Sequence, residues 1–145
     1  MEIYTIGFTK KPAIEFFEKL KQAGIKRVLD VRLKNTSQLS GFAKRGDLEY
    51  FLEKICGAEY LHEPLLAPTD DLMKAYKKKK LTWHEYEKQF LALMAEREIE
   101  KKIDPEIFTA PTALLCSEGS PEFCHRRLAL EYLNAKWKNV VIIHL

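Results

Sequence analysis

Short β-branched runs alternate along the chain with longer segments of helical period. Glu2–Ile6, Arg27–Val31, Glu59–His62, Thr112–Cys116 and Asn139–His144 read as strands. The last carries Val140, Val141, Ile142 and Ile143 in succession, apolar to both sides, so a parallel strand covered on both faces is expected. Between them, Pro12 to Ala23 places Ile14, Phe17 and Leu20 at spacings of three and stops at Gly24. A helix from Asp47 to Cys56 ends at Gly57, and Thr69-Asp70-Asp71 caps another through about Lys78. Thr82-Trp83-His84-Glu85 is a capping-box pattern, followed by a core-like stripe of Trp83, Tyr86, Phe90, Leu93 and Arg97. Ser120-Pro121 reads as the start of a helix to about Lys136. Leu33–Gly46 has no period and reads as a long surface loop.

This alternation predicts an α/β fold: residues 1–145 as a single three-layer domain, with a mostly parallel five-stranded sheet and helices on both faces. A length of 145 residues suits one core. The hydrophobic fraction of 46% excludes a disordered chain, and no apolar run approaches the ~20 residues of a membrane span, so no membrane association is expected. MEIYTIGF enters a strand directly, with no export signal. Three cysteines, Cys56, Cys116 and Cys124, suit free thiols in a cytoplasmic protein. The net charge of +3 says little about nucleic acid, so that question passes to local patches.

Parallel sheets bind ligands at the carboxyl ends of their strands. Those ends carry Thr5-Ile6-Gly7, Asp30-Val31-Arg32 and Cys116-Ser117-Glu118-Gly119-Ser120, the last leading into Cys124-His125-Arg126. A glycine-containing turn entering a helix N-terminus suits a phosphate- or nucleotide-like anion. It lacks a dinucleotide fingerprint and a P-loop ending, and Glu122 stands where a Cys-x5-Arg phosphatase needs arginine. In the helix expected from Ser120-Pro121 to about Lys136, Arg127, Glu131, Asn134 and Lys138 form a solvated side, which turns His125 towards the sheet with Arg126 at the margin. Asp30 and Glu118 are the carboxylates expected to partner them.

The candidate catalytic set is therefore Cys116, Glu118, Cys124, His125 and Arg126, with Gly7, Asp30, Arg32 and Ser120 as ligand-binding residues. Arg32 and Arg126 would hold negative charge, His125 would be the acid/base, and Cys116 or Cys124 the nucleophile or a redox pair. The bland alternatives are packed thiols and a buried ion-pair cluster in a structural or partner-binding domain. Cys116, Cys124 and His125 match no standard zinc spacing, and neither a metal nor another cofactor is expected. Cys56 reads as packing. A nucleic-acid-binding module using Arg32, Lys44, Arg45 and the Lys77–Lys80 run is the rival reading, although that run also suits a solvated helix end. The oligomeric state stays open.

Thr5-Ile6-Gly7, Leu29-Asp30-Val31-Arg32, Gly41-Phe42, Leu61 to Leu66, Leu81-Thr82-Trp83 with Tyr86, and Leu115-Cys116-Ser117-Glu118 through Cys124-His125-Arg126-Arg127 together resemble the family called domain of unknown function 488. The resemblance spans nearly the whole chain, and Cys-x-Glu with Cys-His-Arg is its most specific part. Two positions depart from it: Phe8-Thr9 replaces a frequent His-Ser, and Leu66-Ala67 replaces a usual Gly-Gly. The resemblance implies a small cytosolic prokaryotic α/β protein with a polar site and brings no established reaction.

Overall fold

The computed structural model describes residues 1–35, 41–118 and 121–145. Its five strands are β1 (Glu2–Gly7), β2 (Arg27–Asp30), β3 (Glu59–His62), β4 (Thr112–Cys116) and β5 (Val141–His144). They lie in the order β3-β2-β4-β1-β5, and every pairing is parallel. The helices are α1 (Ala13–Gln22), α2 (Arg45–Phe51), α3 (Asp70–Lys77), α4 (Trp83–Arg97), α5 (Ile99–Lys102) and α6 (His125–Trp137).

Pleat parity divides the core in two. Ile3, Leu29, Leu114 and Cys116 point to the face covered by α3 to α6, through residues such as Phe90, Met94, Ile99, Leu128 and Leu133. Ile6, Val28, Ala113 and Leu115 point to the opposite face, where Phe16, Phe17 and Leu20 of α1 and Leu48 of α2 pack. β1 and β2 therefore hand the chain to helices on one face, while the neighbouring β4 hands it to α6 on the other. Such a reversal opens a crevice at the carboxyl ends of the strands. The register brings Gly7 beside Cys116 and Asp30 beside both Leu115 and His62 at that edge.

The capping box forms as its pattern predicts: the Thr82 hydroxyl accepts from the Glu85 amide at 3.2 Å, and the Glu85 carboxylate accepts from the Thr82 amide at 3.2 Å. Elsewhere the expected pattern is corrected. β5 is an edge strand, bonded only to β1 among the described strands, and Val141 is 56% exposed. An unbroken apolar run is thus parallel here without being covered on both faces. In α1 the buried stripe is Phe16, Phe17 and Leu20, whereas Ile14 is 75% exposed. The helix of 47–56 starts earlier, at Arg45, and its last turn, Leu52–Cys56, widens to π geometry before Gly57 takes a left-handed φ of 61°.

The start of α6 also shifts. The helix begins at His125 with Cys124 in extended conformation before it, rather than at Pro121. The Pro121 and Glu122 carbonyls accept from the Arg127 guanidinium at 3.2 and 3.0 Å, so a side chain takes the place of a helical ladder. Within 33–46, Gly41–Ala43 forms a 3-10 turn and α2 is already under way at Arg45. Among the described residues, no helix is long and apolar enough to cross a membrane.

Candidate active site at the strand ends

Cys116 ends β4 on the α6 face and is 2% exposed. His125 opens α6 with its ring against Phe90. Its Nε2 lies 2.8 Å from the Val31 carbonyl oxygen, which can only accept, so Nε2 carries the proton and donates. That leaves Nδ1 facing the Cys116 sulfur at 3.7 Å. A main-chain carbonyl thereby fixes the ring in the orientation a thiol–imidazole pair requires.

Cys124 completes the cluster. The Cys116, Cys124 and His125 ligand atoms lie within 4.8 Å of one another. A hydrogen bond from the Cys124 thiol and the charge of His125 outweigh burial and hold the Cys116 thiol well below its usual range. Cys124 moves the opposite way, raised by burial and by its neighbouring thiolate. Burial disfavours the His125 cation, yet the adjacent Cys116 holds the imidazole above its usual value. Glu118 is raised by burial first and by Cys116 second. The favoured state is a Cys116 thiolate beside a His125 imidazolium, with Cys124 as the thiol. Two sulfurs and one imidazole nitrogen would also suit a thiophilic ion, but no fourth protein ligand joins them among the described residues.

Asp30 does not meet Arg126 or His125. It is in step with Val28 and so points to the α1–α2 face, opposite α6. There its carboxylate accepts from Arg32 Nε at 2.8 Å and Nη2 at 2.7 Å, and from the Tyr60 hydroxyl at 2.6 Å. This forked pair presses the guanidinium carbon over the Phe8 ring at 5.2 Å. The third nitrogen, Nη1 of Arg32, is buried without a hydrogen-bond partner among the described residues.

Arg126 is fully buried on the other side of the Cys116–Glu118 turn. Its Nη1 donates to the Glu118 main-chain carbonyl and, at 3.8 Å, to the Cys124 sulfur, so the expected bond to the Glu118 carboxylate is replaced by one to the backbone. Nε and Nη2 of Arg126 have no hydrogen-bond partner among the described residues. Gly7 is explained by this crowding. A Cβ there would stand 1.6 Å from the Glu118 carbonyl oxygen and 2.7 Å from Arg126 Nη1. Thr9 fastens the same turn, its amide donating to the Ser117 carbonyl at 2.9 Å. Ser120, also a candidate, lies outside the described residues.

A cavity of about 920 Å³ opens over the cluster. Cys116, Glu118, Cys124 and His125 lie at its base, and Arg32 and Phe8 enter from the β1–β2 side. Of the two arginines expected to hold negative charge, Arg32 lines the cavity and Arg126 is not among its described lining residues. Two groups of lining residues escape a reading of the sequence. Tyr76, Trp83, Tyr86 and Phe123 form a wall of ring contacts, with Trp83 stacked on Tyr86 at 5.2 Å. Trp83 and Tyr86 belong to the stripe read as core: Tyr86 and Phe90 are buried in it and Trp83 packs against it, while Trp83 and Tyr86 also face the cavity. Lys77 and Lys79 come from the run read as a solvated helix end, and they join Lys10 and Lys34 at the rim. The left-handed turn at Lys79, φ 59°, folds that run back, a bend that no residue type in a row of lysines announces. Cys56 packs on the far face, its sulfur 3.7 Å from the Phe17 carbonyl.

In comparison with known proteins, the family model described as Domain of unknown function DUF488 matches residues 12–133. Neither the curated proteins nor the solved structures give a match. The match takes in Asp30, Arg32, the whole Cys116–Arg126 element and the aromatic wall, everything around the cavity except the β1 edge. The chain is a member of the DUF488 family.

Proposed function

We propose that the cavity is an active site in which Cys116 attacks an electrophilic centre on a small phosphate- or nucleotide-like anion. The observation that carries this is the line from the Val31 carbonyl through His125 to the Cys116 sulfur, ending at an open cavity. A thiolate is the nucleophilic form of cysteine, and an adjacent imidazolium both maintains it and supplies a proton to the leaving group. Arg32 offers the anion its Nη1, which has no hydrogen-bond partner among the described residues, aided by Lys10, Lys77 and Lys79. The aromatic wall gives a flat organic group a surface to stack on. Glu118, raised by burial, is a carboxyl able to pass a proton within the site. Asp30 and Gly7 position the machinery: one holds Arg32 and the other lets the Glu118 turn approach. Arg126 anchors that turn and the Cys124 sulfur from behind.

The test is site-resolved alkylation by iodoacetamide, read by peptide mass spectrometry. Cys116 is expected to react faster than Cys56 at neutral pH, and millimolar adenosine monophosphate or inorganic phosphate is expected to slow it several-fold. The Lys77→Glu/Lys79→Glu double variant keeps the reactivity and loses the protection. Equal rates at Cys116 and Cys56, or no protection by either anion, defeat this reading.

A further inference from the structure

We propose that Cys124 is the resolving thiol for Cys116, so that the pair carries out dithiol–disulfide exchange with a small disulfide bearing carboxylates. The proposal rests on the Cys116 nucleophile of that reading and adds to its phosphate- or nucleotide-like anions a second substrate class, a disulfide flanked by carboxylates.

A lone thiolate over a cavity stops at a covalent adduct. Here a second thiol stands in the same wall. Cys116 ends β4, Cys124 immediately precedes α6, and their sulfurs are no more than 4.8 Å apart across the turn that joins the two elements. Both line the cavity. Arg126 places Nη1 3.8 Å from the Cys124 sulfur, a fixed positive charge for the thiolate this residue must become in order to attack. The guanidinium is fully buried, and its Nε and Nη2 have no hydrogen-bond partner among the described residues. Closing a disulfide requires the sulfurs to approach to about 2.05 Å, which side-chain rotation and a shift of the intervening turn would have to supply.

The rim selects the substrate. Arg32, Lys10, Lys77 and Lys79 surround the mouth, with Glu118 as the acidic member of the lining, so flanking carboxylates on the disulfide are held while its sulfurs reach the base.

In the first step the Cys116 thiolate attacks one sulfur of RSSR. A Cys116–SR bond forms, the S–S bond breaks, and the departing thiolate takes the proton of the His125 imidazolium. In the second, the Cys124 thiol gives its proton to the now neutral His125 and attacks the Cys116 sulfur. The Cys116–Cys124 bond forms, the bond to SR breaks, and the second thiolate leaves with that proton. One disulfide is reduced to two thiols and the protein dithiol is oxidised. An external dithiol reverses the exchange and restores the site.

The full chain is incubated with oxidised glutathione, quenched with iodoacetamide and mapped without reduction. Wild type is expected to end with a Cys116–Cys124 disulfide and two glutathione molecules released per chain, reversed by dithiothreitol. Cys124→Ser and Cys124→Ala should stop with glutathione on Cys116, and Lys77→Glu/Lys79→Glu should form either product several-fold more slowly. A stable Cys116 adduct in wild type, the same as in the Cys124 variants, overturns the resolving role and leaves the nucleophile standing. Failure of Cys116 to react faster than Cys56 with either reagent removes both. A stoichiometric zinc ion that must be chelated before any reaction also overturns the proposal, assigning the thiols to a metal.

Discussion

His125 is held by one bond that its own sequence neighbours do not supply: Nε2 donates to Val31, 94 residues away. The consequence is measurable as a pH profile. Cys116 has a depressed folded value, so its thiolate contributes to stability above the unfolded thiol's pKa, and that contribution is lost as pH falls through the folded value. His125 has a raised value, so its cation contributes below the unfolded imidazole's pKa and is lost as pH rises through the folded value. Alkylation of Cys116 should therefore stay fast well below pH 9.0, the ordinary thiol value. His125→Ala should move the rising limb of that profile upward. Each unit of the move lowers reactivity about tenfold at a pH below the limb. An unmoved limb would show that His125 does not support the thiolate. Gly7 belongs to the same scale. Gly7→Ala puts a methyl group into the Glu118 carbonyl, and overpacking of this kind costs ~1–3 kcal/mol. Thermal denaturation should show a fall of several degrees, and an unchanged midpoint would mean the turn yields freely.

At the scale of elements, local rules served where one segment decides the outcome. The β4 residues Thr112–Cys116 and the β3 residues Glu59–His62 were legible to the residue, because β-branched or apolar runs bounded by breakers have few alternatives. The α4 start was legible for the same reason: Thr82 and Glu85 satisfy each other's amides without outside help. Thr82→Ala removes that partner and should cost about 1 kcal/mol, roughly 2–4 °C in melting temperature. Because Trp83 and Tyr86 stand on the first turn of α4, the same variant should also weaken anion protection of Cys116. The α6 start was not legible. Ser120-Pro121 carries a sound local signal, but Arg127 reaches back to the Pro121 and Glu122 carbonyls and the helix waits for His125. Long side chains competing for backbone acceptors leave no period in the sequence.

Across the whole molecule, the strand order β3-β2-β4-β1-β5 puts three strands between neighbours and leaves β5 bonded on one side among the described strands. Amide hydrogen exchange should follow that order, with β1, β2 and β4 protected to the level of global unfolding and β5 exchanging faster through local opening. Uniform protection of all five would contradict an edge position for β5. The sequence by itself determined the α/β class, the parallel sheet, most strand limits and the neighbourhood of Cys116, Glu118, Cys124 and His125, because period, breakers and the carboxyl-end rule are local or depend only on fold class. The tertiary structure decided the pairings. Strand order and pleat parity sent Asp30 to Arg32 on one face and kept Arg126 behind the Glu118 turn on the other. They also brought Val31 to His125, and set the core residue Tyr86 and the exposed Lys77 in the lining of one cavity. Which polar groups meet depends on contacts between distant segments, and no spacing along the chain encodes those distances.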